Sequence, residues 1–268
     1  MKVGANRITL FFMTSLFKTV GQSTLGHFEN IGRFGLLLAA MLRSLRDARI
    51  FLRRIPEQMY LIGNSSLPIV LITATFSGMV TSVQAAYQIT GYVPLYVVGS
   101  AVGESMILEL GPVVTALVLA GRVGASIAAE LGTMRVTEQI DALESLAINP
   151  VAFLVIPRVV AGLIMVPVLT IFADFVGIIG GWLISVATMD LTTTEFFKGF
   201  RMWFKIWDAV YGIIKSGFFG VSITLIGCYE GFHTSGGAEG VGHATTRAVV
   251  TACLIILMLD YVLAALLL

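Results

Sequence analysis

Six ionisable side chains lie within stretches that are otherwise apolar: Glu104, Glu109, Arg122, Asp174, Lys215 and Asp260. A charged group in hydrocarbon is costly, so each is a candidate for a functional role. Glu109 and Lys215 could pair with each other or hold a zwitterionic group. Glu109 could instead only cap the half-helix after Gly111-Pro112, and Lys215 could extend towards the membrane surface. Asp260 has no partner nearby in sequence and must find one on another helix or in a wet cavity.

Motifs for catalysis do not occur in the sequence. There is no G-x-x-x-x-G-K-[ST] sequence, so the chain does not bind ATP through a P-loop. Neither HExxH nor GxSxG is present. Cys228 and Cys253 form no CxxC or metal-spaced pair, and the three histidines do not cluster with them. We therefore expect no cofactor, no metal site and no reaction catalysed by this chain.

Composition places the chain in a membrane. Of its 268 residues 57% are hydrophobic and 12% are charged, with a mean hydropathy of +0.91. A soluble domain carries about 25% charged residues. The net charge of +1 gives no indication of a nucleic-acid partner. No polar stretch is long enough for a soluble domain, which predicts one membrane domain.

A membrane-spanning helix needs about 20 mainly apolar residues. Five regions meet this length, which predicts an all-α protein with five transmembrane helices. They are about Leu61–Tyr87, Leu95–Ala129, Val151–Thr188, Val210–Tyr229 and Ala248–Leu268. The second exceeds one bilayer thickness at about 1.5 Å per residue, so it must tilt, break or project. Gly111-Pro112 is the expected break.

The chain is predicted to have an N-terminal interfacial amphipathic region (residues 1–58) followed by a five-helix domain (residues 59–268). Six arginines share the first region with a stripe of apolar residues, a pattern typical of a helix lying in the membrane plane. The arginines are Arg33, Arg43, Arg46, Arg49, Arg53 and Arg54. By the positive-inside rule they place the N-terminus in the cytoplasm, and five spans then place the C-terminus outside.

This topology assigns the connections between spans to the two sides of the membrane. Glu130–Asn149 and Glu230–Arg247 are expected on the cytoplasmic side. Gln88–Pro94 and Leu191–Asp208 are expected outside. The last of these is rich in Phe and Trp, which predicts an amphipathic helix at the outer interface.

One cytoplasmic connection contains a short acidic helix. Thr137 is its expected N-cap, and Glu138 and Asp141 lie in the first turns, where the helix dipole favours anions. Helical spacing predicts two faces for this helix. The solvent-exposed face carries Glu138, Gln139, Asp141 and Glu144, and the apolar face carries Ile140, Leu143 and Leu146. The segment is either an ordinary solvated helix or one that docks into a groove on a soluble partner.

Nine ordered motifs resemble the MlaE permease family, membrane subunits of ABC transporters that move phospholipids between bacterial membranes. The resemblance covers about residues 26–268. Leu108 is a departure, since an arginine often precedes this Glu-Leu-Gly-Pro motif. The motifs are ELGPVV from Glu109, AGRVGA from Ala120, AELGTM from Ala129, TEQIDAL from Thr137, Asn149-Pro150, IPR from Ile156, TSGGAEGVG from Thr234, ATTRAVV from Ala244 and LDYVL from Leu259.

The resemblance implies a homodimeric permease in the bacterial inner membrane. Its implied partners are a second copy, two cytoplasmic P-loop ATPase subunits and a periplasmic MCE-domain protein, with phospholipid as substrate. The lipid cavity would lie between the two copies and open outward, and residues 133–147 would form the coupling helix. The implied site residues are Glu109, Lys215 and Asp260 at the cavity, and Arg135, Glu138, Asp141 and Glu144 at the ATPase contact.

Two other classes of function fit the same sequence. A secondary transporter could use Glu109, Lys215 and Asp260 as an ion or proton relay, and would move lipid along a gradient without an ATPase. A scaffold would only anchor a partner complex, and its function would survive removal of the acidic helix.

Overall fold

A computed structural model describes residues 32–45, 51–89, 93–189 and 191–268, and these residues contain helices and turns but no β-strand. The chain divides into two compact units, Met1–Arg46 and Asp47–Leu268. Helix α1 (residues 32–44) belongs to the first unit and carries Arg33 and Arg43. Arg46 and Arg49 lie outside the described residues, so the full interfacial helix stays a prediction.

The second unit contains the five predicted spans. Each is a helix long and apolar enough to cross a membrane, and the described part of the chain contains five such helices, which confirms the all-α fold with five spans. A shorter helix, α2 (Ile55–Gly63), precedes them, and the predicted domain boundary at residue 58 falls within it. The spans are α3 (Leu67–Ile89), α4 (Val97–Val136), α6 (Val151–Thr188), α8 (Ile206–Phe232) and α9 (Gly237–Leu267); between them lie α5 (Gln139–Ser145) and α7 (Thr193–Trp203).

Hydropathy predicted the existence of each span better than the ends of its helix. The third span was predicted with the observed bounds. The fifth helix begins at Gly237 rather than Ala248, and the fourth extends to Phe232, so most of the predicted loop Glu230–Arg247 is helical. A helix can continue beyond the hydrocarbon because its backbone hydrogen bonds are internal. Its residues there are polar, so hydropathy marks the end of the apolar stretch and not the end of the helix.

The predicted break at Gly111-Pro112 is wrong, because α4 is one continuous helix of 40 residues. It contains two π-helical turns instead, at Met106–Leu110 and Ala120–Gly124. Pro112 has no N–H and lies just after the first turn, at a position where a helix tolerates proline. It therefore leaves the Leu108 carbonyl, four residues earlier, without its α-helical donor.

Close contact between glycines joins α3 to α6. A Cβ added to Gly78 would lie 1.8 Å from the Gly177 carbonyl oxygen, so only glycine permits this approach. Further along, the buried hydroxyls of Ser82 and Ser185 are 2.5 Å apart. Small residues allow backbones in a membrane to pack closely, and a shared hydrogen bond adds to that packing.

At one end of the spans lies α7, the segment predicted to be an amphipathic interfacial helix. Thr192 caps it, and Glu195 completes a capping box by accepting from the Thr192 backbone N–H at 2.9 Å. Phe196 is fully buried, whereas Lys198 and Arg201 are exposed, as expected for a helix with one apolar face. The Trp207 indole donates to the Leu267 carbonyl at 3.4 Å and brings the start of α8 to the end of α9.

Candidate functional site

Lys215 lies at the centre of a charged cluster that joins three spans. Its Nζ is 2.6 Å from Glu109 Oε2 on α4 and 2.5 Å from Asp260 Oδ1 on α9. It also donates to the Leu108 carbonyl at 3.2 Å. The structure thus brings together the three residues expected at the lipid cavity. The contact with Asp260 is an ion pair whose angle departs from hydrogen-bond geometry.

Local backbone structure explains why Lys215 reaches this position. Pro112 leaves the Leu108 carbonyl free, and Lys215 supplies the missing donor. Gly212, almost one turn earlier on α8, lets the two helices approach: a Cβ there would lie 2.6 Å from the Ile107 carbonyl oxygen. The π-turn of α4 and the glycine of α8 therefore position the lysine together.

The cluster contains two carboxylates and one ammonium group. The Lys215 side chain has no exposed surface, whereas 45% of Glu109 and 24% of Asp260 remain exposed. Lys215 Nζ contacts three protein oxygens and lies 5.1 Å from the centre of the Tyr211 ring. A molecule at this surface would therefore meet carboxylate oxygens, which accept hydrogen bonds, rather than the lysine.

Arg122 and Glu130 do not pair with each other. Arg122 donates to the Ser66 hydroxyl at 2.5 Å, and Glu130 accepts from Arg158 at 2.7 Å. Arg158 is a site residue that was not predicted, although an arginine in the first turns of an apolar span needs a partner. Its side chain is 4% exposed and also donates to the Leu154 carbonyl at 2.7 Å.

Two further charged residues inside the spans stay apart from these groups. Glu104 makes no ion pair with any residue that the structure describes. Asp174 Oδ1 is buried without a hydrogen-bond partner in the described part of the chain. It lies against Gly111, where an added Cβ would be 1.6 Å away, so this carboxylate occupies the space that a larger residue would need.

The acidic helix α5 forms a corner with the end of α4. Glu138 at the corner has a φ of 59°, in the left-handed region. It precedes α5 as the N-cap residue, so the predicted cap at Thr137 is wrong; Thr137 instead ends α4. Arg135 on α4 forms an ion pair with Asp141 on α5 and ties the two helices together.

The predicted faces of α5 are right with one exception. Ile140 is buried, and Glu138, Asp141 and Glu144 are exposed. Leu146, predicted to be on the apolar side, is exposed because α5 ends at Ser145 and the following residues leave the helical path. All three acidic side chains are exposed; Asp141 forms an ion pair with Arg135, and Glu138 and Glu144 form no ion pair with any described residue.

Comparison with known proteins gives one consistent result. The sequence profile of the family described as Permease MlaE matches residues 55–266. A probable ABC transporter permease protein of Rickettsia felis is 39% identical over 249 residues, which are 93% of this chain and 96% of the relative. A similar protein of Synechocystis is 45% identical over 215 residues, 80% of this chain and 82% of its own length. The intermembrane phospholipid transport system permease protein MlaE of Haemophilus influenzae is 35% identical over 256 residues, 94% of this chain and 97% of the relative.

Proposed function

This chain belongs to the MlaE permease family, and from that premise we propose that it is the membrane subunit of an ABC transporter moving phospholipids between the bacterial inner and outer membranes. The similarity to the Haemophilus protein named for this process supports the substrate. The sequence contains no P-loop, which supports the proposal that a separate subunit hydrolyses ATP.

The proposed assembly contains a second copy of the chain, cytoplasmic P-loop ATPase subunits and a periplasmic MCE-domain protein. The N-terminus lies in the cytoplasm and the C-terminus in the periplasm. The exposure of Glu109 and Asp260 within the spans supports the second copy. Charged groups cannot face lipid without cost, so a surface that exposes them needs a wet cavity or a protein partner beside it.

The partly exposed side chains of Glu109 and Asp260 are the proposed contacts for the phospholipid headgroup. They would accept hydrogen bonds from a headgroup ammonium, while Lys215 holds both carboxylates in place. Leu108 offers no charge of its own, so the phosphate must be held elsewhere. The single observation that carries this assignment is a fully buried lysine flanked by two partly exposed carboxylates.

Coupling to the ATPase is proposed to occur through α5. Its exposed acidic residues Glu138, Asp141 and Glu144 would meet a basic rim on the ATPase. The Arg135–Asp141 ion pair would pass the motion of α5 to α4, and α4 leads directly to Glu109. One continuous helix thus connects the proposed motor contact with the proposed lipid contact.

Transfer of a fluorescent phospholipid between vesicles tests this function. The chain is reconstituted with its ATPase, and transfer is expected to require ATP. Glu109→Gln should slow transfer while leaving the protein folded, whereas Glu104→Gln, the same change on the same helix, should not. Transfer driven by an ion gradient without the ATPase would instead support a secondary transporter.

A second measurement tests the coupling contact. The double variant Glu138→Lys and Glu144→Lys should lower co-purification of the ATPase or separate ATP hydrolysis from lipid transfer. It leaves the Arg135–Asp141 pair intact, so α5 keeps its position. Unchanged co-purification and unchanged lipid-stimulated hydrolysis would contradict the role of α5.

A further inference from the structure

A second polar pocket lies at the opposite end of the spans from the outer helix α7. It has a volume of about 550 Å³, within the range of ligand-binding pockets. Helix α2 contributes Gln58, Leu61 and Ile62, and helix α4 contributes Arg122 and Glu130. None of these residues belongs to the Lys215 cluster.

The position of this pocket relative to the membrane follows from α3. That helix has 23 residues and begins directly after Ser66, and at about 1.5 Å per residue it spans about 34 Å, close to the hydrocarbon thickness. Ser66 therefore marks one edge of the hydrocarbon, and its hydroxyl accepts from Arg122. Glu130 lies eight residues further along α4, about 12 Å beyond that edge. The pocket thus begins at the hydrocarbon edge with Arg122 and extends through the headgroup region towards Glu130.

The charges of the pocket favour an anion. Arg122 is exposed and donates to the neutral hydroxyl of Ser66, and no carboxylate in the described part of the chain forms an ion pair with it. Glu130 is neutralised by Arg158 at 2.7 Å. Arg122 therefore carries a positive charge without an ion-pair partner among the described residues, at the edge of the phospholipid headgroup region. A guanidinium group presents several donors in a plane and suits phosphate oxygens.

The apolar wall of the pocket suits the rest of a lipid. Leu61 and Ile62 line it from α2, while Arg122, Ser126 and Glu130 follow one another at intervals of four residues and share one face of α4. We propose that this pocket binds the phosphate headgroup of a phospholipid from the adjacent leaflet, which is the cytoplasmic leaflet in the orientation proposed above. This site is separate from the Lys215 cluster and requires only that the chain lies in a phospholipid membrane.

Photo-crosslinking in nanodiscs of phosphatidylethanolamine and phosphatidylglycerol tests the site. The full chain carries a benzophenone amino acid in place of Leu61, and the mass of the intact protein reports attached lipid. Arg122→Gln should lower the crosslinked fraction about tenfold, as expected for loss of a charged hydrogen bond. Arg122→Lys should retain most of it. Arg53→Gln is the matched control, because Arg53 is exposed and does not line the pocket.

A second variant keeps the test decisive if Arg122→Gln does not fold. Ser126→Trp fills the pocket without removing its charge and should also abolish crosslinking. Unchanged crosslinking in either folded variant overturns the site. Crosslinks to a second protein chain, or loss of the lipid adduct on addition of inorganic phosphate alone, would overturn the assignment to lipid. Failure of the transport function would appear in the vesicle assay and would leave these crosslinks unchanged.

Discussion

Lys215→Met should destabilise the protein more than loss of either carboxylate that contacts it. The lysine side chain is fully buried, and both Glu109 and Asp260 depend on it for their opposite charge. Because both carboxylates contact the same nitrogen, their oxygens are within about 5 Å of each other. At an effective dielectric constant of about 20 their repulsion is about 3 kcal/mol. Removal of one member of a buried ion pair typically costs about 3–5 kcal/mol.

Water reaches both carboxylates, so the expected cost of Lys215→Met is at the lower end, about 3 kcal/mol. Glu109→Gln should cost less, about 1–2 kcal/mol, because Lys215 keeps Asp260 and can still donate to the amide oxygen. The double variant Glu109→Gln and Lys215→Met should recover only part of the loss, since Asp260 remains without a cation. Adding Asp260→Asn should recover most of the remainder.

Thermal unfolding of the purified protein in one detergent measures this order. The midpoints should rise from Lys215→Met through the double variant to the triple variant, and Glu109→Gln should unfold below the wild type but above Lys215→Met. The reasoning is refuted if Lys215→Met unfolds at the wild-type temperature, or if the triple variant is no more stable than Lys215→Met. Either result would mean that the three groups are solvated independently rather than joined as one cluster.

Three further predictions concern other parts of the fold. Gly78→Ala should lower the thermal midpoint, because the added Cβ would lie 1.8 Å from the Gly177 carbonyl oxygen; Gly121→Ala, with nothing within 4 Å, is the control and should be neutral. Hydrogen bonds from the capping threonine lower the pKa of Glu195 from its ordinary value of 4.5. The stability it gives the start of α7 is therefore present above that value and lost as the pH falls through the lowered pKa, so exchange of the first α7 amides, corrected for intrinsic rates, should accelerate only in acid. Glu138→Val should disturb the α4–α5 corner, because a β-branched residue disfavours a φ of 59°, whereas Glu138→Gly should not; equal protease cleavage of both variants would contradict this.

The sequence predicted the parts of this fold that depend on local composition. The five spans follow from apolar length, and α6 was predicted at its observed bounds because its apolar stretch and its helix coincide. Opposite charges made Glu109 and Lys215, 106 residues apart, a possible pair from the sequence. The contact of Asp260 with the same lysine depends on how three spans pack, so the sequence could only indicate that Asp260 needs a partner. The free Leu108 carbonyl could have been expected from Pro112. The π-turn that directs it could not, because no residue pattern distinguishes such a turn from an α-helix.

The two π-turns of α4 make the number of residues in this helix significant. A π-turn behaves as an α-helix that has accepted an extra residue, so deletion of one residue from Ala120–Gly124 could restore a regular repeat. Everything beyond the deletion would then rotate by about 100° about the helix axis, including the attachment of α5. Alignments of this chain with its relatives should therefore permit single-residue gaps inside a membrane span, where gaps are ordinarily penalised. The direction in which α5 points, relative to Glu109, is set by the count of residues between them as well as by their identities.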